Sequence, residues 1–487
     1  MQYRLLKTAL VASLLTWVGC GSGGTSILNR FGAGTGTVVL LASDQPVCDV
    51  TSFQVTVTGI TLVPQNGGAS VSVLSSSQPV TLDLASLMDV SALLSVADVP
   101  AGTYSEISFT LSNPQLTSID FTQNPPVPAT ITPTMQSLTL TYDISPALTV
   151  TTNGSAGLQV DFDLRHSLAV DTNENITGEA NLLAQAAPVA AAPDTGFGEL
   201  KELHGLMQSV STTASGNFTG SVTIQTADGN NLIVHLTSAT ILNGLTSGLS
   251  NMLPQTFLEI NAYVDSSGNV VASRLTAEDL DQASLQNAGL IGEITSVTRL
   301  STGYISQFTL VVREEFPNVS ADIPLQSTVQ VNIGPSTTFN LSAPEDDTAQ
   351  LSFDGTNVGL GQVVTVHGNY LPGQRGVPAV LNANSLYLHT QSVLGDFASL
   401  LTVGQDGKTG GFAFTPCSGV FQGQTISTLT FSGTTFEGVT DLNGLTTTPT
   451  LLVRGQVLFE PTLTSAGTVT LTPPVTVLDA TRVHQLP

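Results

Sequence analysis

The chain has 487 residues, 36 of them acidic and 12 basic, and a formal net charge of −24 at pH 7. A surface of that sign is repelled by phosphate backbones, which sets nucleic acid aside as a partner. With 41% hydrophobic and only 10% charged residues it is not a disordered acidic tail, and its length calls for about three or four domains rather than one.

The first twenty residues form a unit of their own. Arg4 and Lys7 precede an apolar run from Thr8 to Val18, about eleven residues where a membrane-crossing helix needs roughly twenty. A basic head, a short apolar core and a small residue describe a secretory signal peptide. Val18-Gly19-Cys20 resembles the lipobox of bacterial lipoproteins, with Trp17 standing where that motif prefers leucine. The resemblance implies a signal peptide over 1–19, cleavage after Gly19, and acylation of the Cys20 thiol and of the new amino terminus. Residues 20–35, beginning "CGSGGTS", then serve as lipidated cysteine and flexible tether. A plain signal peptide cut nearby, with Cys20 a spare thiol, is the alternative. Gly21 rather than aspartate follows the cysteine, which by the usual sorting rule in bacteria with two membranes points to the outer membrane, facing the periplasm or the cell surface.

From Gly36 onward the dominant pattern is alternation. "TVVLLAS" from Thr37, "FQVTVTGITLV" from Phe53 and "YSEISFTLS" from Tyr104 are rich in Val, Ile, Thr and Phe, the period and composition of half-buried strands. Gly, Pro, Asn and Ser break them at short intervals, as antiparallel sandwiches and barrels require. Between Leu82 and Gly102 the spacing of Leu84, Leu87, Met88 and Leu94 predicts a short helix ended by Pro100 and Gly102. The strands near "VVLLASDQP" and "VTVTGITL", then "LDLASL", "VPAGTYSEISFTL" and "LQVDFDLRHSLAV", resemble domain of unknown function 4382, a family common in exported lipoproteins. The resemblance implies a β-sandwich-like domain over 36–190 with one short helix, closed by the Ala/Pro-rich linker "AQAAPVAAAP". It implies no activity.

Beyond the linker the chain repeats. "HGLMQSV" from His204, "IGEITSV" from Ile291 and "LGDFASL" from Leu394 share a glycine, an apolar residue two places on and a serine two places later. Each is followed by a second element, "LEINAYVD", "VTVHGNYLP" and "LVRGQVLFE", and in two cases by a return strand, "NVVASRLTAED" and "AVLNANSLYLH". Three copies at intervals of roughly 85 to 105 residues predict three β-barrel-like repeat domains, 198–285, 286–392 and a divergent 393–487, each closing its own core. They resemble domain of unknown function 5666, with small barrels of the oligonucleotide-binding type as the expected fold.

Candidate chemistry is sparse. There is no G-x-S-x-G, no H-E-x-x-H, no phosphate-cradling glycine loop and no Cys/His nucleophile motif, and no cofactor is implied. His235 in "LIVHLT" and His367 in "VTVHGNY" read as strand-face residues. Asp161, Asp163 and Arg165 alternate with Val160, Phe162 and Leu164, which predicts a self-neutralising charged face turned to solvent. "DTNENITGE" sets Asp171, Asn173 and Asn175 at alternate positions with Glu179 nearby, as a calcium loop begins. Ile176 stands where such a loop needs glycine and Leu182 where it needs glutamate, so an Asn-rich turn explains the residues equally. No metal site is otherwise supported. Cys48 and Cys417 lie in different predicted domains, where a bridge requires close docking and two buried free thiols require nothing.

The expectation is therefore a lipid-anchored cell-envelope protein, not an enzyme, with a structural, adhesive or protein-binding role, held at the membrane by its lipid and meeting a protein or cell-surface partner. The alternative is a small-ligand binder, for a glycan or calcium-dependent. Glycan faces use aromatic platforms; the only tryptophan is Trp17, and Tyr104, Tyr142, Tyr263, Tyr304, Tyr370 and Tyr387 are spread across the domains. Oligomeric state is not encoded in any feature of the sequence.

Overall fold

A computed structural model describes residues 34–486 apart from 46, 48–49, 77–78, 89, 121–122, 124–126, 171–175, 190–199, 201–202, 226–230, 244–248, 250–255, 266, 279–286, 317–322, 324–325, 342–352, 375–377, 418, 422, 446–448 and 460–475. The protein is mainly β, with one four-residue α-helix, Leu164–Ser167, among the described residues. Residues 1–33, with Cys20 and its tether, lie outside the description.

The first domain is built on a ten-stranded sheet. Its main path runs Val71–Leu74, Ser52–Pro64, Gly102–Asp120, Thr139–Val150, Ala184–Pro188, Ser155–Phe162, Thr35–Asp44 and Ala92–Pro100. The sheet curls until its ends meet, where Ser95 Oγ donates to the Val73 carbonyl at 2.5 Å. One core fills the enclosure, with Phe53, Phe109 and Phe162 fully buried and Phe109 edge-on to Phe162 at 5.8 Å. A small three-stranded sheet, Leu168–Val170, Ile176–Ala180 and Thr134–Met135, lies beside it.

The helix predicted between Leu82 and Gly102 does not form. Val80–Asp83 is a strand, Leu84–Ser86 a single 3-10 turn, and Ala92–Pro100 a strand antiparallel to Thr35–Asp44. Leu84, Leu87 and Leu94 reach the same core from the turn, its exit and the strand. Their spacing reflects one buried target rather than one helical face. Pairing along Thr35–Asp44 supplies the hydrogen bonds a helix would otherwise make.

Three barrels follow. In the second, the strands Asn287–Arg299, Ile305–Phe316, Thr328–Leu341, Val363–Leu371 and Ala379–Leu388 close in the order 1-2-3-5-4, with the third and fifth parallel. The third barrel repeats that order with Gln391–Val403, Gly410–Pro416, Ile426–Glu437, Thr450–Phe459 and Thr476–Gln485. The first has Leu203–Ser211, Gly220–Gln225, Asn231–Leu236, Phe257–Val264 and Val270–Glu278, and closes through one parallel pairing, His235 with Val271; Ile241–Asn243 adds a short sixth strand. This is the strand order of an oligonucleotide-binding-type barrel. Thr476–Gln485 is the return strand the third repeat had lacked in sequence.

Two devices recur in all three. The glycine of each repeat motif lies where the first strand crosses closest to the second. A Cβ would stand 2.7 Å from the Gln225 carbonyl at Gly205, 2.2 Å from Val311 O at Gly292 and 2.2 Å from Thr415 O at Gly395. Further on, Thr240, just after a turn, and Thr337 and Thr434, each at a register shift within the third strand, are equally spaced along the chain and latch the fifth strand. Their hydroxyls donate to the carbonyls of Ala272, Ala383 and Ala480, each at 2.8 Å, and accept from the backbone N–H three residues back.

Each barrel has a core of its own, and the cores of the first two also take in residues from a neighbouring unit. Val39 and Leu41, from the first domain, are buried in the first barrel's core with Val222, Ile260 and Leu275. Leu206 of the first barrel meets Ile291 and Val363 of the second. Leu458 of the third barrel is buried in the second barrel's core. A strand that is apolar on both faces can serve two cores at once, as Thr35–Asp44 and Thr450–Phe459 do.

Candidate functional site

Polar side chains converge at the end of the parallel pair Thr35–Asp44 and Ser155–Phe162, the strand end that carries "DFDLRHS". Parallel register sets Ser43 opposite Asp161 and Asp44 opposite Phe162, so matched side chains share a face. On one face Gln159 Nε2 donates to Ser43 Oγ at 2.8 Å, Ser43 Oγ donates to Asp161 Oδ1 at 2.8 Å, and Gln45 Nε2 reaches Asp161 Oδ2 at 3.4 Å. Leu41, two residues before Ser43 on the same face, enters the first barrel's core. On the opposite face Asp44, 3% exposed, accepts the Leu164 N–H at 3.0 Å through Oδ1, while Oδ2 has no hydrogen-bond partner.

Burial governs the electrostatics. It pushes Asp44 well above the ordinary carboxylate range, with Asp161 and Asp163 adding repulsion and the Leu164 N–H opposing. Asp161 is raised mainly by burial as well, and its bonds from Ser43 and Gln45 hold the shift down.

The charged solvent face predicted for Asp161, Asp163 and Arg165 is therefore corrected. The strand ends at Phe162, and Asp163 begins the helical turn Leu164–Ser167, accepting the His166 N–H at 3.1 Å. Asp163 Oδ2 lies 2.7 Å from His166 Nδ1, and Arg165 is exposed on the turn. An imidazole oriented by a carboxylate is half of an acid–base device. Ser167, the nearest hydroxyl along the chain, donates to the Asp163 carbonyl and accepts the Leu183 N–H at 2.9 Å. Its bonds tie the turn to Leu183, just before the strand Ala184–Pro188.

Of the calcium candidates, Asp171, Asn173 and Asn175 lie outside the described residues, and Glu179 is exposed in the strand Ile176–Ala180, paired with Thr134. Among the described residues no group of three His, Cys, Asp or Glu side chains is placed to hold a metal. His235 stacks on Phe218 at 4.3 Å, and burial lowers its pKa. His367 is buried with its ring edge-on to Tyr387. The tyrosines stay dispersed: Tyr104 and Tyr142 donate to the Pro100 and Leu182 carbonyls within the first domain, at 2.6 and 2.9 Å.

Cys417 is disulfide-bonded, one of the two states the sequence left open. The seam between the second and third barrels escaped the sequence. Gln362, fully buried, donates through Nε2 to Asn357 O and Val457 O, both at 2.8 Å, and accepts the Gly359 N–H at 2.8 Å. Asn357 Nδ2 donates to Phe459 O at 3.2 Å, and Phe459 N donates to Asn357 O at 3.0 Å. Arg299 lies over the Phe459 ring, 4.3 Å from its centroid, while donating to the Gly303, Thr356 and Val358 carbonyls. Gln391 fixes the junction by accepting from Val363 N and donating to Gly361 O. On the strand next to Thr450–Phe459, opposite Gln456, Asp479 is 2% exposed with Oδ1 unpaired, and burial pushes its pKa up to about 7.

The fold and these sites define an all-β protein of four docked units, held together by polar seams and shared cores. Residues 35–177 match a family model described as a domain of unknown function (DUF4382), so the first domain is similar to that family. No curated protein matches the chain. Among solved structures, drosophila Unr CSD456 aligns over 59% of this chain and 98% of its own at 9% identity, with a TM-score of 0.14, a likeness too slight to carry any argument.

Proposed function

We propose that the protein is a lipid-anchored component of the cell envelope with a structural, adhesive or protein-binding role, not a catalytic one. The observation that carries the reading is the disulfide at Cys417, because such bridges form and persist outside the reducing cytosol. Export is also what the basic head, the short apolar run and Cys20 favour. The seam at Gln362, Asn357 and Arg299 supports a holding role, since it fixes the second and third barrels against each other through buried hydrogen bonds. The membrane is reached through the acylated Cys20, and the docked barrels present an acidic surface to a protein or cell-surface partner.

The experiment is Cys20→Ala in cells with fractionation. The variant moves from the membrane to the soluble fraction or stays unprocessed. Unchanged fractionation, together with no lipid on Cys20 of the parent protein, rejects the proposal.

A further inference from the structure

We infer that the second barrel binds a neutral polysaccharide through a row of amide side chains on its outer face. The row follows the strand pairing. Gln307 stands opposite Asn332, Asn332 opposite Asn382, and Asn382 opposite Asn369, so the four lie side by side on adjacent strands about 4.8 Å apart. Gln307 Nε2 donates to Asn332 Oδ1 at 2.8 Å, and Asn332 Nδ2 donates to Asn382 Oδ1 at 3.0 Å. Phe308, Val331 and Leu381, which alternate with them, fill the barrel's core, so the row faces outward. Asn369 and Asn382 are exposed, Gln307 and Asn332 half-buried.

The fold does not require these residues. Asn is depleted in strands. The matching row of the other barrels, placed by the residue before each latched alanine, holds Ser221, His235, Val271 and Tyr263 in the first and Gly411, Leu429, Asp479 and Gln456 in the third. Four amides in one row of one barrel are therefore a property of that surface rather than of the barrel.

Charge and hydrogen bonding select the ligand. The next row on the same face, Thr309, Gln330, Val380 and Leu371, is uncharged as well, in a chain of net charge −24. An acidic polymer is repelled by the surroundings of such a band, while a neutral one meets no repulsion. Each amide offers a carbonyl oxygen and two N–H donors, the complement of neighbouring sugar hydroxyls, which both donate and accept. The bonds along the row orient the amides before a ligand arrives and leave Asn382 Nδ2 and Gln307 Oε1 for it. Leu371, 48% exposed, stands opposite Val380 beside Asn369 and Asn382, and supplies to sugar C–H groups the apolar contact that an aromatic platform supplies elsewhere. Strand spacing is close to the length of one pyranose, so successive sugars of an extended chain meet successive strands. Such a glycan is the cell-surface partner that the adhesive reading calls for, and its binding depends on the second barrel alone, not on the lipid anchor.

The test is affinity electrophoresis of the purified full chain in gels containing, one at a time, dextran, mannan, xylan, galactan and β-glucan, with polygalacturonate as the acidic control. Retardation by at least one neutral glycan and none by polygalacturonate is the expected result. Asn369→Ala changes an exposed side chain outside the bonded ladder, and Asn382→Asp keeps the acceptor for Asn332 while removing the outward donor. Each should weaken binding by about tenfold or more with the melting temperature unchanged, and Ser221→Ala, in the matching row of the first barrel, should bind as the parent does. Passage through every gel unretarded overturns the inference, as does retardation that both row variants retain or that polygalacturonate shares. Membrane fractionation of Asn382→Asp should match the parent, so that loss of glycan binding and loss of the anchor are read separately.

Discussion

Asp479 offers the cleanest quantitative test of how the third barrel is held. Its side chain is 2% exposed on the fifth strand, Oδ1 is unpaired, and burial alone moves its pKa from 3.8 to about 7. A shift of about three units, at about 1.4 kcal/mol each, sets a ceiling of about 4 kcal/mol on the cost of ionising it in the folded state. The folded pKa is raised above the unfolded one, so the penalty is absent below about pH 4, grows as pH rises and is complete above about pH 7. Asp479→Asn keeps the shape and cannot ionise. Relative to the parent it should be near neutral at pH 4 and stabilised by roughly 2 to 4 kcal/mol at pH 8. Urea denaturation at both pH values, with hydrogen exchange of the strand Thr476–Gln485 to localise the effect, reads the difference. Equal effects at the two pH values, or a loss of stability at pH 8, would refute the claim that Asp479 carries a buried charge uncompensated by its surroundings.

The other predictions follow from the same geometry. Gln362→Ala removes three buried hydrogen bonds at the seam, costing about 2 to 4 kcal/mol, and should split the unfolding of the second and third barrels into two calorimetric transitions; a single transition shifted as a whole contradicts the seam's role. Gly395→Ala brings a Cβ to 2.2 Å from Thr415 O and should cost more than about 2 kcal/mol. Gly303→Ala, in open space at φ +85, should cost only about 1 kcal/mol, and similar midpoints for the two variants would remove the close approach as the glycine's reason. Thr434→Val loses the latch to Ala480 and leaves that carbonyl and the Phe431 N–H unpaired, for about 1 to 3 kcal/mol; unchanged exchange protection of the Ile426–Glu437 and Thr476–Gln485 amides counts against it.

Much of the fold was legible because strand alternation and barrel geometry act locally. The glycine of "HGLMQSV", "IGEITSV" and "LGDFASL" marks the strand crossing closest to its neighbour, and that requirement recurs wherever the barrel recurs. The latch threonines were equally regular but sit among many other threonines, and only their spacing distinguishes them. The Leu82–Gly102 segment misled because a turn and a strand facing one core imitate a helical face. Asp161 misled for the complementary reason: alternation shows that it opposes Phe162, not that the first barrel docks on that face. A sign of docking was present in the unbroken apolar runs "VVLLA" and "LLV", which leave no face for water. The sequence left Cys417 open between a bridge and a free thiol, since pairing between distant cysteines depends on how whole domains meet.

The most direct measurement is the mass of the amino-terminal peptide of protein isolated from membranes. The account predicts a chain that starts at Cys20 and carries a diacylglyceryl thioether and an amide-linked acyl chain. A chain that retains residues before Cys20, or one that begins elsewhere with an unmodified thiol at Cys20, contradicts it.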